Sequence, residues 1–304
     1  DLSPDTERSM IPYIEVKVLL DFGSVQVYTF GTLVGLAIVL GLYILTHRAR
    51  QLSLDPEIAE HLHYWSISLS LFFGHVFTIL FYEPGRLERE GPLLLLKVWD
   101  GMSSMGGITS GLIVGLLFLK IKKVKLAPYL DSFFYALTFA WTIARLGCTL
   151  VHDHPGALSD FFMAVQYPCD PRDPGGAICA RHDLGLYEFL SFGFLSIYFY
   201  ATRFKPRFAG FYILSWGLVM GPLRFMADFL RIDPTAGLGG DQRYGALTPA
   251  QITIIPLFIL SVVVFVRWRK TGEVLTPIRV PFQMSKPEPP PKSKSSGKGQ
   301  PKKK

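Results

Sequence analysis

Residues 22–46, FGSVQVYTFGTLVGLAIVLGLYILT, contain no charged side chain, and they are followed directly by His47-Arg48-Ala49-Arg50. A helix that crosses the hydrocarbon core of a membrane needs about 20 mostly apolar residues. A core helix of a soluble protein would also show a polar stripe at helical spacing, which this stretch lacks. We therefore interpret residues 22–46 as a membrane-spanning helix.

Six further stretches have a comparable length and composition. Three of them contain no charge, and the other three contain one each, Arg145, Glu188 or Arg224. The six stretches are 64–82, 101–119, 132–151, 184–202, 208–227 and 244–266. The sequence therefore predicts an all-α membrane protein with seven transmembrane helices.

The connections between these spans alternate between basic and mixed or acidic composition. The basic ones follow the first, third, fifth and seventh spans, at residues 47–50, 120–125, 203–207 and 267–270. Because Lys and Arg accumulate in loops that remain in the cytoplasm, we predict that the N-terminus lies outside and the C-terminus lies in the cytoplasm. Residues 152–183 then form an extracytoplasmic loop.

The positive charge of the chain is concentrated at its C-terminal end. The 304 residues carry a net charge of +7, yet residues 267–304 contain 11 Lys or Arg and two Glu, which leaves 20 basic and 22 acidic residues before them. The body of the chain is therefore not basic, and we predict no nucleic-acid partner. We predict a membrane domain at residues 1–270 and a disordered basic cytoplasmic tail at residues 271–304.

Four ionisable residues lie in or beside the predicted spans, where charge is costly and usually functional. Arg145, Glu188, Arg224 and Asp228 all fall within about 10 Å of the predicted outer surface, at a helical rise of about 1.5 Å per residue. They form either structural ion pairs or one site facing the outer leaflet, in which two guanidiniums bind an anionic group such as a phospholipid phosphate. We favour the second interpretation, with Asp228 orienting Arg224 from the same helix face.

Histidines near the predicted outer surface are candidates for proton transfer. His152 and His154 flank Asp153 after the fourth span, and His182 precedes the fifth. Histidine titrates near neutral pH, so each of the three is a candidate general base. The His-Asp-His run could also bind a metal, but alternate positions on a helix diverge and no further spaced ligand pair supports such a site. We therefore predict no metal and no cofactor.

Two adjacent glycines, Gly106 and Gly107, open the third span. Glycine in a helix lowers its stability unless close backbone approach is needed. Gly107 and Gly111 form a Gly-xxx-Gly pair, which is typical of helix packing in membranes. The alternative is that the glycine amides face an anion at the start of the helix.

The three cysteines fall into two groups. Cys169 and Cys179 lie ten residues apart in the predicted outer loop, where they are candidates for a disulfide. Cys148 lies within the fourth span, where a small apolar filler is the favoured interpretation and a nucleophilic thiol the alternative.

These features together resemble the bacterial prolipoprotein diacylglyceryl transferases, over residues 10–270. The family signature Gly-Arg-x-Gly-Asn-x-x-Asn-x-Glu-x-x-Gly corresponds to residues 144–156, ARLGCTLVHDHPG. The matching positions are Arg145, Gly147 and Gly156, with Asp153 in place of the Glu and with Cys148 and Val151 in place of the two Asn.

Further family motifs are similar to shorter segments of the chain. The family's His-Gly-Gly corresponds to Met105-Gly106-Gly107, so its histidine is replaced here. Its second essential arginine corresponds to Arg224, which is followed by Asp228 and Arg231. The remaining similarities are Phe30-Gly31, Gly185-Leu186-Tyr187-Glu188 and Leu247-Thr248-Pro249-Ala250-Gln251.

The resemblance implies that a diacylglyceryl group moves from phosphatidylglycerol, or a similar anionic phospholipid, to the lipobox cysteine thiol of a preprolipoprotein signal peptide. The reaction would take place at the outer leaflet of the bacterial inner membrane. The thiolate attacks a glycerol carbon, and glycerol phosphate leaves. We expect Arg145 and Arg224 to clamp the phosphate, and His152, His154 or His182 to replace the missing family histidine. The resemblance assigns substrate binding to Gly106, Gly107, Asp153, Glu188, Asp228, Arg231 and Gln251.

Two other interpretations stay open. A divergent homologue would transfer a lipid group from another donor or to another acceptor, since the family histidine and both asparagines are replaced. A non-catalytic lipid- or lipoprotein-binding membrane protein would bind the same headgroup without a reaction. A transporter is disfavoured because the sequence shows no internal repeat.

Overall fold

The computed structural model describes residues 11–23, 26–169, 178–232 and 241–280. Within these ranges, seven helices are long and apolar enough to cross a membrane, which confirms the predicted all-α membrane fold. They are α1 (Thr29–Gln51), α2 (Pro56–Phe77), α4 (Ser104–Ile121), α5 (Leu126–Val151), α6 (Leu184–Ala201), α7 (Phe211–Ala227) and α8 (Pro249–Arg269), with the short α3 (Pro84–Glu90) between α2 and α4.

Several helix ends are set by capping side chains, which hydrophobicity alone does not reveal. Asp55, Ser103 and Asp183 each accept a hydrogen bond from a backbone amide in the first turn of α2, α4 and α6. The first span begins at Thr29 and not at the predicted residue 22. The reason is that β2 (Val18–Asp21) and β3 (Gln26–Tyr28) pair as an antiparallel hairpin before it.

The spanning helices form pairs that bury small and aromatic side chains. α1 packs on α5, α2 on α4, α5 on α6, and α7 on α8. A Cβ atom added at Gly106 in α4 would lie 2.4 Å from Cβ of Phe77 in α2, so only glycine allows this approach. Buried aromatic side chains fill the space between α5, α6 and α7, among them Phe134, Phe192 and Trp216.

One end of the bundle, here called the sheet end, carries a four-stranded sheet in the order β1-β5-β6-β4. Its strands are β1 (Ile11–Pro12), β4 (Pro155–Leu158), β5 (Val165–Pro168) and β6 (Ile178–Asp183). Three of these strands come from the predicted loop at residues 152–183, and a disulfide between Cys169 and Cys179 joins β5 to β6. Gly156 in β4 pairs with Arg231 after α7, so the sheet is attached to the ends of α5, α6 and α7.

The opposite end, here called the basic end, contains the four basic loops. Arg48 belongs to the first predicted basic loop, yet its side chain is buried, with 1% of the residue exposed. Its guanidinium donates to the carbonyl oxygen of Arg203 and to the hydroxyl of Tyr212, and it lies 4.7 Å from the ring centre of Tyr135. This arginine therefore stabilises the contact between α1, α5 and α7.

The predicted start of the tail at residue 271 is corrected by the structure. β8 (Val274–Leu275) pairs antiparallel with β7 (Arg207–Phe208), and the side chain of Leu275 is buried. The amide of Ile278 also donates to the carbonyl oxygen of Gln51. An apolar side chain covered by the bundle keeps this segment ordered, and the rest of the predicted tail, residues 281–304, lies outside the described residues.

Candidate active site

Arg145, Glu188 and Arg224 belong to three different spans and meet at the sheet end of the bundle. Nε of Arg145 in α5 lies 2.6 Å from one carboxylate oxygen of Glu188 in α6, and Nη1 of Arg224 in α7 donates to the other oxygen at 3.2 Å. The three residues are 4%, 1% and 3% exposed, in that order. Because buried charges are costly unless they are paired, Glu188 holds the two guanidiniums beside each other.

Asp228 extends this group of ion pairs toward α8. Its Oδ1 lies 3.4 Å from Nη2 of Arg224 and accepts a 2.9 Å hydrogen bond from Nε of Arg231. Its Oδ2 accepts a hydrogen bond from the hydroxyl of Thr248, the residue that caps α8. Arg231 also lies 2.9 Å from a carboxylate oxygen of Asp241. Asp228 therefore orients both arginines, and we call the whole group, from Arg145 to Asp241, the arginine cluster.

Two guanidinium nitrogens of the arginine cluster are left without a hydrogen-bond acceptor among the described residues. Within the described part of the chain, Nη2 of Arg145 and Nε of Arg224 are buried and have no hydrogen-bond partner. A buried donor without an acceptor costs about 1–3 kcal/mol, so two such donors on residues that share Glu188 call for an explanation. Guanidinium groups match phosphate oxygens in charge and geometry. The cluster is therefore suited to bind an anion that accepts from both side chains.

His154 is the candidate histidine that contacts the arginine cluster. Its Nε2 lies 3.4 Å from Nη1 of Arg145, and its Nδ1 hydrogen-bonds to the carboxylate of Asp153. This position follows from His152, which ends α5 in the left-handed region with φ of 50° and turns the chain back.

His152 belongs to a second hydrogen-bonded group, in which it joins the sheet to α6. Its Nδ1 lies 2.7 Å from Oδ2 of Asp183, and the same oxygen accepts a 2.9 Å hydrogen bond from the hydroxyl of Tyr167. The ring of Tyr13 stacks on His152 at 4.4 Å. Burial and the nearby charge of Asp183 raise the pKa of Tyr167, so this hydroxyl stays protonated and donates. These contacts favour a structural role for His152.

His182 lines a cavity of about 540 Å³ between α6, α7 and the sheet. Its Nδ1 lies 2.8 Å from the hydroxyl of Tyr187, and burial lowers the pKa of His182, which keeps the ring neutral at neutral pH. The other lining residues are mostly apolar: Phe161, Met163, Leu190, Ser191, Phe194, Leu223 and Leu230. The cavity is therefore suited to hold an apolar chain.

Cys148 lies beside the arginine cluster, one turn after Arg145 in α5. Its Sγ is 3.5 Å from Nη1 of Arg145. Cys148, Asp153 and His154 each offer one donor atom, and the three atoms lie within 4.8 Å of one another. The thiol of Cys148 lies outside the His-Asp-His run, and the predicted absence of a metal stays a prediction.

The glycines assigned to substrate binding have partners within the bundle. The amide of Gly106 donates to Oγ of Ser103, and the amide of Gly107 donates to the carbonyl oxygen of the same serine. These contacts support helix packing over anion binding for the glycine pair. Met105, at the position of the family histidine, is fully buried in the hydrophobic core and offers no proton acceptor.

Gln251 is also satisfied by backbone groups. Its side-chain oxygen accepts from the amide of Thr248, and its side-chain nitrogen donates to the carbonyl oxygen of Phe225. It therefore fixes the start of α8 against the end of α7. Its assignment to substrate binding stays a prediction.

Some residues of the site were not predicted from the sequence. Asp183 stands directly before an apolar run, which is an N-cap signal that could have identified it. Tyr13 has no comparable local signal, because its partner His152 lies far away in the chain. Asp241 lies ten positions after Arg231, a separation that neither the helical nor the strand repeat relates to a contact.

The chain is similar to one family of known proteins. The family model described as prolipoprotein diacylglyceryl transferase matches residues 17–267. Curated relatives carry the name phosphatidylglycerol–prolipoprotein diacylglyceryl transferase. The one from Marinomonas sp. (strain MWYL1) is 27% identical over 265 residues, 83% of this chain and 93% of the relative. The one from Chromohalobacter salexigens is 28% identical over 268 residues, 86% and 96% of the two chains. A third, from Polynucleobacter asymbioticus, is 29% identical over 253 residues, 79% and 91% of the two chains.

The matched region contains all seven spanning helices almost completely, together with the arginine cluster. The helices and the match indicate a multi-pass protein of the bacterial inner membrane. The chain belongs to the prolipoprotein diacylglyceryl transferase family.

Proposed function

We propose that this chain transfers a diacylglyceryl group from phosphatidylglycerol to the lipobox cysteine thiol of a preprolipoprotein. The observation that carries the proposal is the pair of buried guanidiniums, Arg145 and Arg224, held on one carboxylate with an unused N–H on each. The names of the curated relatives supply both substrates.

The role proposed for Arg145 and Arg224 is to bind the phosphate of the donor lipid. A bond forms between the acceptor sulfur and a glycerol carbon, while the bond between that carbon and a phosphate oxygen breaks. Negative charge therefore grows on the leaving glycerol phosphate. Fixed donors in a site with little water stabilise such charge, and loss of one donor typically lowers the rate by about 100- to 1000-fold.

The proposed placement in the membrane puts the sheet end at the outer leaflet. The basic end then lies in the cytoplasm, as the distribution of Lys and Arg predicts. The cavity of about 540 Å³ lies between α6 and α7, the helices that carry Glu188 and Arg224. We assign this cavity to an apolar part of a substrate whose polar group reaches the arginine cluster.

The acceptor thiol must lose its proton, because the thiolate is the nucleophile. His154 is the histidine that we propose to act on this thiol, since it contacts Arg145 at 3.4 Å. His152 is bound to Asp183, and His182 lines the apolar cavity. Neither of these two rings contacts an arginine of the cluster in a hydrogen bond that the structure describes.

The test is lipid transfer from phosphatidylglycerol vesicles to a lipobox peptide, measured by product mass. The full chain should add one diacylglyceryl group to the peptide and release glycerol phosphate. Arg145→Ala and Arg224→Ala should each lower the rate by about 100-fold or more. Arg89→Ala, which changes an exposed arginine of α3, should leave the rate unchanged.

Two outcomes of the same assay would contradict the proposal. A product of another mass, or a product formed only with phosphatidylethanolamine vesicles, would support a divergent lipid transferase. Lipid that co-purifies with the chain without any modified peptide would support a non-catalytic lipid-binding protein.

A further inference from the structure

One aromatic side chain, Trp141, lies against the guanidinium of Arg145. The central carbon of that guanidinium is 4.7 Å from the ring centre of Trp141, within the range of a cation–π contact. The two residues are four positions apart on α5, so they share one face of the helix. The contact joins the arginine cluster to the aromatic side chains that fill the space between α5, α6 and α7.

Trp141 is held in place by aromatic side chains of α6 and α7, the helices that carry Glu188 and Arg224. Its ring centre lies 6.1 Å from that of Phe192 in α6 and 5.9 Å from that of Trp216 in α7. Phe192 and Trp216 are buried, and their own ring centres lie 5.5 Å apart. Tilted and edge-to-face arrangements of this kind are favourable for aromatic pairs. The position of the Trp141 ring against α5 is therefore set by all three helices.

The other contacts of Arg145 lie at the edge of its guanidinium. Nε lies 2.6 Å from a carboxylate oxygen of Glu188, and Nη1 lies 3.4 Å from Nε2 of His154 and 3.5 Å from Sγ of Cys148. The thiol is a weak hydrogen-bond partner, and it stands where the family signature has an asparagine. A ring against the face of the guanidinium restricts the tilt of its plane, which weak contacts at the edge do not. Nη2 is the nitrogen left without an acceptor among the described residues.

We propose that Trp141 is a positioning residue for lipid transfer, which holds the guanidinium of Arg145 in the orientation that binds the phosphate. This inference rests on the proposed function, because it takes the phosphate to bind at Arg145. Trp141 touches no reacting atom and acts through Arg145. Donors stabilise the charge that grows on the leaving glycerol phosphate most effectively when they need not reorient during the reaction. A ring that limits such reorientation therefore lowers the barrier to transfer.

The first test is the transfer assay with Trp141→Leu and Trp141→Phe in the full chain. Leucine removes the ring face, whereas phenylalanine keeps a ring and removes only the indole N–H. We expect kcat of Trp141→Leu to fall by about 3- to 30-fold, the range of a cation–π contact away from water. Its KM for phosphatidylglycerol should stay within about twofold, because the charge on glycerol phosphate grows only as the C–O bond breaks. For Trp141→Phe, kcat should stay within about threefold of the unchanged chain.

Trp216→Leu is the matched control for a loss of packing. The same substitution removes an indole that packs on Trp141, yet no cation–π contact joins Trp216 to an arginine in the described part of the chain. We expect this control to lower the melting temperature and to keep kcat when transfer is measured well below that temperature. Equal losses of kcat in the two leucine variants, or in Trp141→Leu and Trp141→Phe, would overturn the inference.

Binding of glycerol phosphate provides a second readout that does not depend on turnover. Titration of the full chain in detergent with glycerol phosphate measures the dissociation constant of the product that carries the phosphate. Trp141→Leu should raise this constant by about 3- to 30-fold, whereas Trp216→Leu should leave it unchanged. The same dissociation constant in Trp141→Leu and the unchanged chain would overturn the inference.

A double variant separates this inference from the proposed function. In the Arg145→Ala background, Trp141→Leu should cause no further loss of transfer, because Trp141 acts through Arg145. Transfer that needs Arg145 but is equal in Trp141→Leu and the unchanged chain would leave the proposed function in place and overturn the role of Trp141. Weaker binding of glycerol phosphate by Trp141→Leu, with no transfer by any of the proteins, would support the positioning of Arg145 and contradict the proposed function.

Discussion

Glu188 is the carboxylate on which the two guanidiniums of the site depend. It contacts Arg145 at 2.6 Å and Arg224 at 3.2 Å, and all three side chains are buried. Without its charge, two cations would remain close together with little water around them. A single side chain therefore decides whether the phosphate clamp proposed here is compatible with a folded bundle.

Glu188→Gln keeps the shape of the side chain and removes this charge. We expect the free energy of unfolding to fall by about 3–5 kcal/mol, the usual cost of leaving a buried charge without its partner. Thermal unfolding in detergent measures this loss. Glu88→Gln, on the exposed side of α3, is the matched control and should change little; equal effects of the two variants would contradict the role given to Glu188.

His182 makes the stability of the sheet end depend on pH. Burial lowers its pKa below the ordinary value, so the unfolded chain binds a proton more readily than the folded chain. The stability contributed by neutral His182 is present above about pH 6.5 and is lost as the pH falls from there through the folded-state pKa. Between about pH 7.5 and about pH 5, the melting temperature of His182→Gln should fall less than that of the unchanged chain. If the melting temperatures of the two proteins fell equally between these pH values, His182 would not titrate in that range.

At the scale of the elements, the contact between α2 and α4 depends on a glycine, Gly106, which has no side chain. A Cβ at Gly106 would lie 2.4 Å from Cβ of Phe77, closer than real carbon atoms approach. We expect Gly106→Ala to lower the free energy of unfolding by about 1–3 kcal/mol, the typical cost of overpacking. Gly35→Ala, in a position of α1 where the described residues leave open space, should be neutral or slightly stabilising. Thermal unfolding of both variants compares the two sites.

The sheet connects elements that the chain separates. Strands β4 to β6 follow α5 and precede α6, and Gly156 reaches Arg231 at the end of α7. A Cβ at Gly156 would lie 2.6 Å from the carbonyl oxygen of Leu230. The sheet thus fixes the distance between α5 and α7, the helices that carry Arg145 and Arg224.

At the scale of the whole molecule, the distribution of charge predicts which end faces the cytoplasm. A cysteine placed at Asp160, on the sheet end, should react in intact cells with a maleimide that cannot cross the membrane. A cysteine placed at Lys122, on the basic end, should react only after the cells are opened. Both positions are exposed, and the free thiol of Cys148 is buried and gives little background. The reverse labelling pattern would contradict the proposed orientation.

The sequence by itself determines the number of spanning helices and the family. Each spanning helix needs its own run of about 20 apolar residues, because each one crosses the membrane separately. Such a run can be read from one segment of the sequence without knowledge of its neighbours. Because charge inside a span is costly, the sequence alone also marks Arg145, Glu188 and Arg224 as functional candidates.

The tertiary structure alone decided how these residues are used. In the folded chain the three histidines lie in different surroundings, and Cys148 lies close to Asp153 and His154. The loop at residues 152–183 forms most of a sheet, and Arg48 is buried. None of this follows from composition, because hydrogen bonds and ion pairs depend on distances between side chains from different segments. Those distances are set only when the helices and the sheet pack together.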